Sequence, residues 1–108
     1  MLSNNRYKSN IIEIDGYFCK LVYHWHGEDL IVHFDRPDID RVQMHKWNIT
    51  KRKKCTLTRV RHEHGFMTSM YMQYWILDIS SRDYKVEFKD GDRFNMRRNN
   101  LIVSPRLS

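Results

Sequence analysis

The stretch Val86-Glu87-Phe88-Lys89-Asp90-Gly91-Asp92-Arg93-Phe94-Asn95-Met96-Arg97-Arg98-Asn99-Asn100-Leu101 decides how this chain is read. It begins inside a short strand, residues 84–88, whose Tyr, Val and Phe suit an extended backbone. Residues 89–92 read as a turn around Gly91. Residues 95–100 read as a helical turn, and Ile102-Val103 extends again before Pro105. Arg93, Arg97 and Arg98 form a basic cluster on this segment. Arginine presents a planar fork of donors that suits phosphate or guanine, so Arg97 and Arg98 are expected at phosphates. Asn95 and Asn100 stay open between two roles: bidentate contact with adenine, or capping of the turn and its backbone. Lys89 and Asn99 complete the nucleic-acid-facing set expected here.

Outward from this segment, the chain reads as strands first and short helices later. Ile12, Ile14, Tyr17-Phe18 and Leu21-Val22-Tyr23 are strand-like, and Asp15-Gly16 is a hairpin signal. A further strand pair is expected at residues 18–25 and 30–34, joined by His26-Gly27-Glu28-Asp29. Pro37 opens a short helix with Ile39, Val42 and either Met44 or Trp47 as its apolar stripe. Trp47-Asn48-Ile49 leads into a basic loop. Residues 55–62 alternate as a strand, turn at Glu63-His64-Gly65 and return through residues 66–69. Residues 70–79 are ambiguous, but Met72, Trp75, Ile76 and Ile79 share a helical face, and a helix is expected. Trp25, Trp47 and Trp75 are read as core residues rather than base-stacking platforms.

The charge pattern points to a polyanionic partner. The chain has 108 residues, a formal net charge of +6 and 41% hydrophobic residues, which suits one small folded domain. Lys51, Arg52, Lys53, Lys54, Arg59 and Arg61 fall between residues 51 and 61 with no acid among them. Such a stretch suits a phosphate backbone, where each cation releases condensed counterions. Residues 28–40 carry the opposite sign through Glu28, Asp29, Asp35, Asp38 and Asp40. No apolar run is long enough to cross a bilayer, and the N-terminus lacks a signal-peptide core, so no membrane partner and a cytoplasmic location are expected. Cys19 and Cys55 are expected to be buried, reduced thiols.

The opening stretch also resembles HNH-type homing endonucleases of phages and mobile elements, the group associated with AP2-like DNA-binding modules. It shares their glycine turn, asparagines, paired arginines and closing Asn-Leu. The likeness extends upstream, through Val32-His33-Phe34-Asp35-Arg36-Pro37-Asp38 with Val42 and Trp47-Asn48-Ile49, and through Tyr71-Met72-Gln73-Tyr74-Trp75-Ile76-Leu77. The resemblance implies an α+β fold: a small antiparallel sheet with short helices, followed by a truncated ββα-metal segment. Residues 1–10 are expected to be a flexible N-terminus. Residues 11–108 are expected to form one domain, with a β-rich half at 11–69 and the HNH-like segment at 70–108.

The departures from that family bear on catalysis. An Asp-His pair would there supply a metal ligand and a general base. Here Glu87-Phe88 stands in its place, and phenylalanine accepts no proton. Gln73 replaces a helix-borne histidine, and the family's further helix is expected to be missing beyond Ser108. Glu87 would hold Mg²⁺ only if cleavage persisted; otherwise no cofactor and no catalytic residue is expected. The pairs His24/His26 and His62/His64 flank turns and are read as structural rather than metal-binding. The leading expectation is therefore a small phage-type protein that binds nucleic acid, preferably duplex DNA, on an inactive HNH-like scaffold. The alternative is a phage inhibitor of a host nucleic-acid enzyme or defence system, anti-CRISPR-like, with a host protein as partner. A divergent metal-dependent endonuclease is the third reading.

Overall fold

A computed structural model describes residues 10–107 of the chain. It is an α+β fold of three small antiparallel sheets and short helices, in the strand orders β1-β2-β3, β4-β5-β6 and β7-β8. The first sheet comprises β1 (Ile11–Asp15), β2 (Phe18–Trp25) and β3 (Glu28–Asp35). A 3-10 turn at Arg36–Asp38 feeds α1 (Ile39–Gln43), with Pro37 in the first turn as its fixed φ favours. The second sheet comprises β4 (Asn48–Thr50), β5 (Cys55–Arg61) and β6 (Met67–Tyr71), and α2 (Met72–Leu77) follows at once. A ribbon of β7 (Tyr84–Phe88) and β8 (Leu101–Pro105) closes the chain, joined through residues 89–100.

The first hairpin turns one residue later than the Asp15-Gly16 signal suggests. Asp15 pairs with Phe18, leaving Gly16 and Tyr17 as the loop, and Gly16 takes φ +62°. Register matters here because a slip of one residue exchanges the two faces of a strand. As formed, Cys19 faces Phe34, Leu21 faces Val32 and Tyr23 faces Leu30, all on one side of the sheet. These residues meet Val42, Trp47, Ile49, Met72, Ile76 and Met96 in a single buried cluster. Trp47 is its largest member, and its indole N–H donates to the Val42 carbonyl at 2.7 Å. Asn10 grips Trp47 from the other side, its side chain accepting from the Trp47 N–H and donating to the Trp47 carbonyl. Asn10 is therefore anchored and buried rather than part of a loose arm; residues 1–9 lie outside the described residues.

Several elements differ from their expected form. Residues 48–50 are a strand, because Ile49 is drawn into the core while Asn48 and Thr50 pair with Leu57 and Cys55. Met70 and Tyr71 stay extended as partners of Thr58 and Leu57, so the helix begins only at Met72. It ends at Asp78, whose φ of +54° breaks the helical path. Residues 95–97 are not helical: Asn95 bridges to His33, and the 3-10 turn is confined to Arg98–Asn100. Trp25 is 38% exposed against His26, whereas Trp75 packs on the core. Both cysteines are free; Cys19 is buried, but Cys55 is only half-buried.

Candidate nucleic-acid interface

The β4–β5–β6 sheet has two chemically distinct faces. Side chains alternate along a strand, and directly paired residues share a face. Ile49, Thr56, Thr58 and Met70 therefore turn inward, and Thr56 and Thr58 are buried. Leu57, Arg59 and Arg61 turn outward with their partners Tyr71, Ser69 and Met67. The β4–β5 loop, residues 51–54, carries the four basic residues to one end of that outer face. Lys51 there is held by Glu28 at 2.7 Å, and Arg52 and Lys53 are exposed at the tip. Lys54 leaves the tip in the left-handed region, at φ +52°.

Beside this loop opens a cleft of about 730 Å³. One wall holds Lys54, Cys55, Ser69 and Tyr71. The facing wall holds Lys85 and Glu87 of β7, with Arg93 from the following loop and Arg106 beyond β8. Arg93 reaches across to the Lys53 carbonyl at 3.4 Å, so the two basic clusters meet here although forty residues separate them in sequence. Among the described residues Glu87 is the one carboxylate lining the cleft, against four cations, and it lies 3.8 Å from Lys85. Arg106 is fixed by the carbonyls of Ser81 and Tyr84 and donates to the Tyr74 hydroxyl, which itself accepts from the Val86 N–H.

The asparagines of the opening stretch are tied into its own loop. Asp90 accepts from the Asn95 and Asn100 side-chain amides at 3.0 and 2.9 Å and from the Asp92 N–H at 2.8 Å. Asn100 also donates to the Asn95 carbonyl and accepts from the Asp90 N–H. Asn95 and Asn100 thus cap the loop, the second of the two roles that residue type alone leaves open. The Asn95 amide bond is the foremost cause that holds the Asp90 carboxyl below its ordinary titration range, followed by the Asp92 N–H. A carboxyl whose folded pKa is depressed stabilises the fold above its unfolded pKa, and that contribution disappears as pH falls through the folded value. Carbon-detected NMR is therefore expected to show Asp90 titrating below the ordinary aspartate range, with the amides of residues 90–100 shifting in the same acid range. An Asp90 midpoint within or above that ordinary range would show that these bonds do not hold its carboxylate.

Arg97 and Arg98 do not join the cleft cations. The Arg98 fork grips the buried Asp38 carboxylate through Nε and Nη2, and Nη2 also donates to the Ile76 carbonyl. Its backbone N–H donates to Asp35. The Asp38 hydrogen bonds raise the Arg98 pKa above its ordinary value, so the fork stays charged and occupied. Arg97 lies over the Phe18 ring at 4.3 Å, with its Nε buried. Its charge also helps to lower the pKa of His33, after burial as the larger cause. Lys89 and Asn99 are exposed, Lys89 donating its backbone N–H to the Asn100 carbonyl.

Glu87, Phe88 and Gln73 line the same cleft, and among the described residues no histidine lines it with them. Phe88 is half-buried and packs on the hydrophobic cluster. Glu87 is exposed there, with the Lys85 ammonium 3.8 Å from its carboxylate. Among the described residues no group of three or more His, Cys, Asp or Glu side chains comes together. His24 pairs with Asp29, and His62 bonds Thr68 and stacks on Phe66. Phe88→His is expected to cost about 1–2 kcal/mol of stability through lost packing and to produce no cleavage. Supercoiled plasmid with Mg²⁺ or Mn²⁺ checks this; nicking by the variant, lost again on adding Glu87→Ala, would refute it.

Lys85, Arg106, Tyr71 and Tyr74 are cleft residues that the sequence did not single out as contacts. The alternation of Lys85 and Glu87 on one strand was a usable signal for the first. Arg106 follows a proline with no pattern to mark it. Comparison with protein-family models, curated proteins and solved structures found no match.

Proposed function

We propose that this chain is a small, basic nucleic-acid-binding protein that holds duplex DNA along the outer face of β4–β5–β6 and into the adjoining cleft. The observation that supports it is the meeting of Lys54 and Arg93 at one cleft, with Arg59 and Arg61 continuing along the neighbouring sheet face. Phosphates need such a row of cations with little opposing charge. The frame is that of an HNH-like endonuclease that has lost cleavage, since the expected base position is filled by a packed phenylalanine. It would serve a phage as a regulator of host or phage DNA transactions in the host cytoplasm. Mobility shift on a duplex at two salt concentrations tests the binding; absence of any salt-sensitive complex rejects it.

The inhibitor reading has the basic surface displace nucleic acid on a host partner while the acidic stretch 28–40 contacts a basic host cleft. Most of that charge is already engaged within the chain. Glu28 pairs with Lys51, Asp29 with His24, and Asp35 and Asp38 with the backbone and side chain of Arg98. This favours nucleic acid as the partner. Capture of a host enzyme from nuclease-treated lysate, abolished by charge reversal at Asp40, would reverse the preference.

A further inference from the structure

The cleft has a feature that binding to duplex phosphates alone leaves unused. Tyr71, the last residue of β6, is 38% exposed and lines both the 730 Å³ cleft and a second hollow of about 240 Å³. Ser69 and Tyr74 line both hollows as well. Tyr74 is fixed through its hydroxyl by Val86 and Arg106. Lys54 and Arg93 stand on the larger side, and Gln73, with its two donors and one acceptor oxygen, opens onto the same space. A base-paired duplex presents its ring faces only to neighbouring bases, so it cannot use a tyrosine ring in a recess. An unpaired nucleotide can: base on ring, phosphate on cations, base edge towards an amide.

We propose that the cleft seats one unpaired nucleotide at the border of a duplex, its base against Tyr71 and its phosphate between Lys54 and Arg93. The proposal rests on the nucleic-acid-binding reading and narrows its substrate to duplexes carrying a single-stranded extension or an extruded base. Arg59 and Arg61 hold the paired part along the sheet, and Gln73 is the group placed to select among bases.

Fluorescence anisotropy on two labelled probes tests this: a blunt duplex, and the same duplex with a short thymidine tail. The tailed probe is expected to bind roughly tenfold more tightly, the scale of one base stacked on an aromatic ring. Tyr71→Ala is expected to bring the tailed probe down to the level of the blunt one. Tyr71→Phe keeps the ring and is expected to keep the preference. Phe66→Ala removes another exposed aromatic, on the β5–β6 turn outside the cleft, and is expected to keep it too. Equal affinity of the unaltered protein for both probes, or a preference that survives Tyr71→Ala, overturns the nucleotide seat while leaving duplex binding intact. Failure to bind either probe overturns both proposals.

Discussion

Affinity for duplex DNA is expected to fall on the order of a hundredfold between about 50 and 200 mM salt. The figure follows from counterion release at the four phosphate contacts proposed for Lys54, Arg59, Arg61 and Arg93, each adding roughly 0.9 to the logarithmic salt slope. Lys54→Glu with Arg93→Glu is expected to cut the slope by about two and to abolish measurable binding near physiological salt. Both residues are exposed, so the double variant should keep the unfolding profile of the parent. Charge reversal at Arg52 and Lys53, on the tip of the loop and outside the cleft lining, is expected to weaken binding less. A slope unaltered by the Lys54 and Arg93 changes would remove the cleft from the interface.

The second large effect concerns stability. Arg98→Ala is expected to destabilise the protein by about 2–3 kcal/mol, read as a lower urea midpoint at unchanged m-value. The Asp38 side chain is 3% exposed and would lose the fork that neutralises it, while the Ile76 carbonyl would lose a donor. The Arg98 side chain is itself 51% exposed, so water softens the loss to below the range for fully buried pairs. Removing Asp38 together with Arg98 is expected to cost less than the sum of the single changes, because no unpaired buried charge remains. The salt slope of DNA binding is expected to be indifferent to Arg98→Ala. A midpoint shift equivalent to less than about 0.5 kcal/mol would show that the fork carries no structural weight.

The sequence was legible where a local rule and the tertiary demand agree. Alternation marks β2, β3, β5 and β7, and Pro37 marks the helix entry, because each is fixed by residues close in the chain. The elements that were missed depend on distant partners. Nothing near Asn48 announces that Leu57 will pair with it, and nothing near residue 95 announces that His33 will hold it extended. The same division runs through the candidate site. The run at residues 51–54 and Arg93 were legible as cations, but their meeting in one cleft is a property of the chain path. Arg98 looked like its neighbour Arg93 because an arginine that lines an open cleft and one that grips a buried aspartate have the same local sequence.

The docking of residues 94–98 on β3 bears on how the protein is made. The His33 N–H donates to the Phe94 carbonyl, the Met96 N–H donates back to the His33 carbonyl, and Arg98 clasps Asp35 and Asp38 from about sixty positions away in the chain. During synthesis the first three strands leave the ribosome with the outer edge of β3 unpaired. It stays so until the arginine-rich segment emerges, at a translation rate of about 5–20 residues per second. This stitch of the fold is therefore vectorial: a segment translated about sixty residues later seals the edge of the sheet that was formed first.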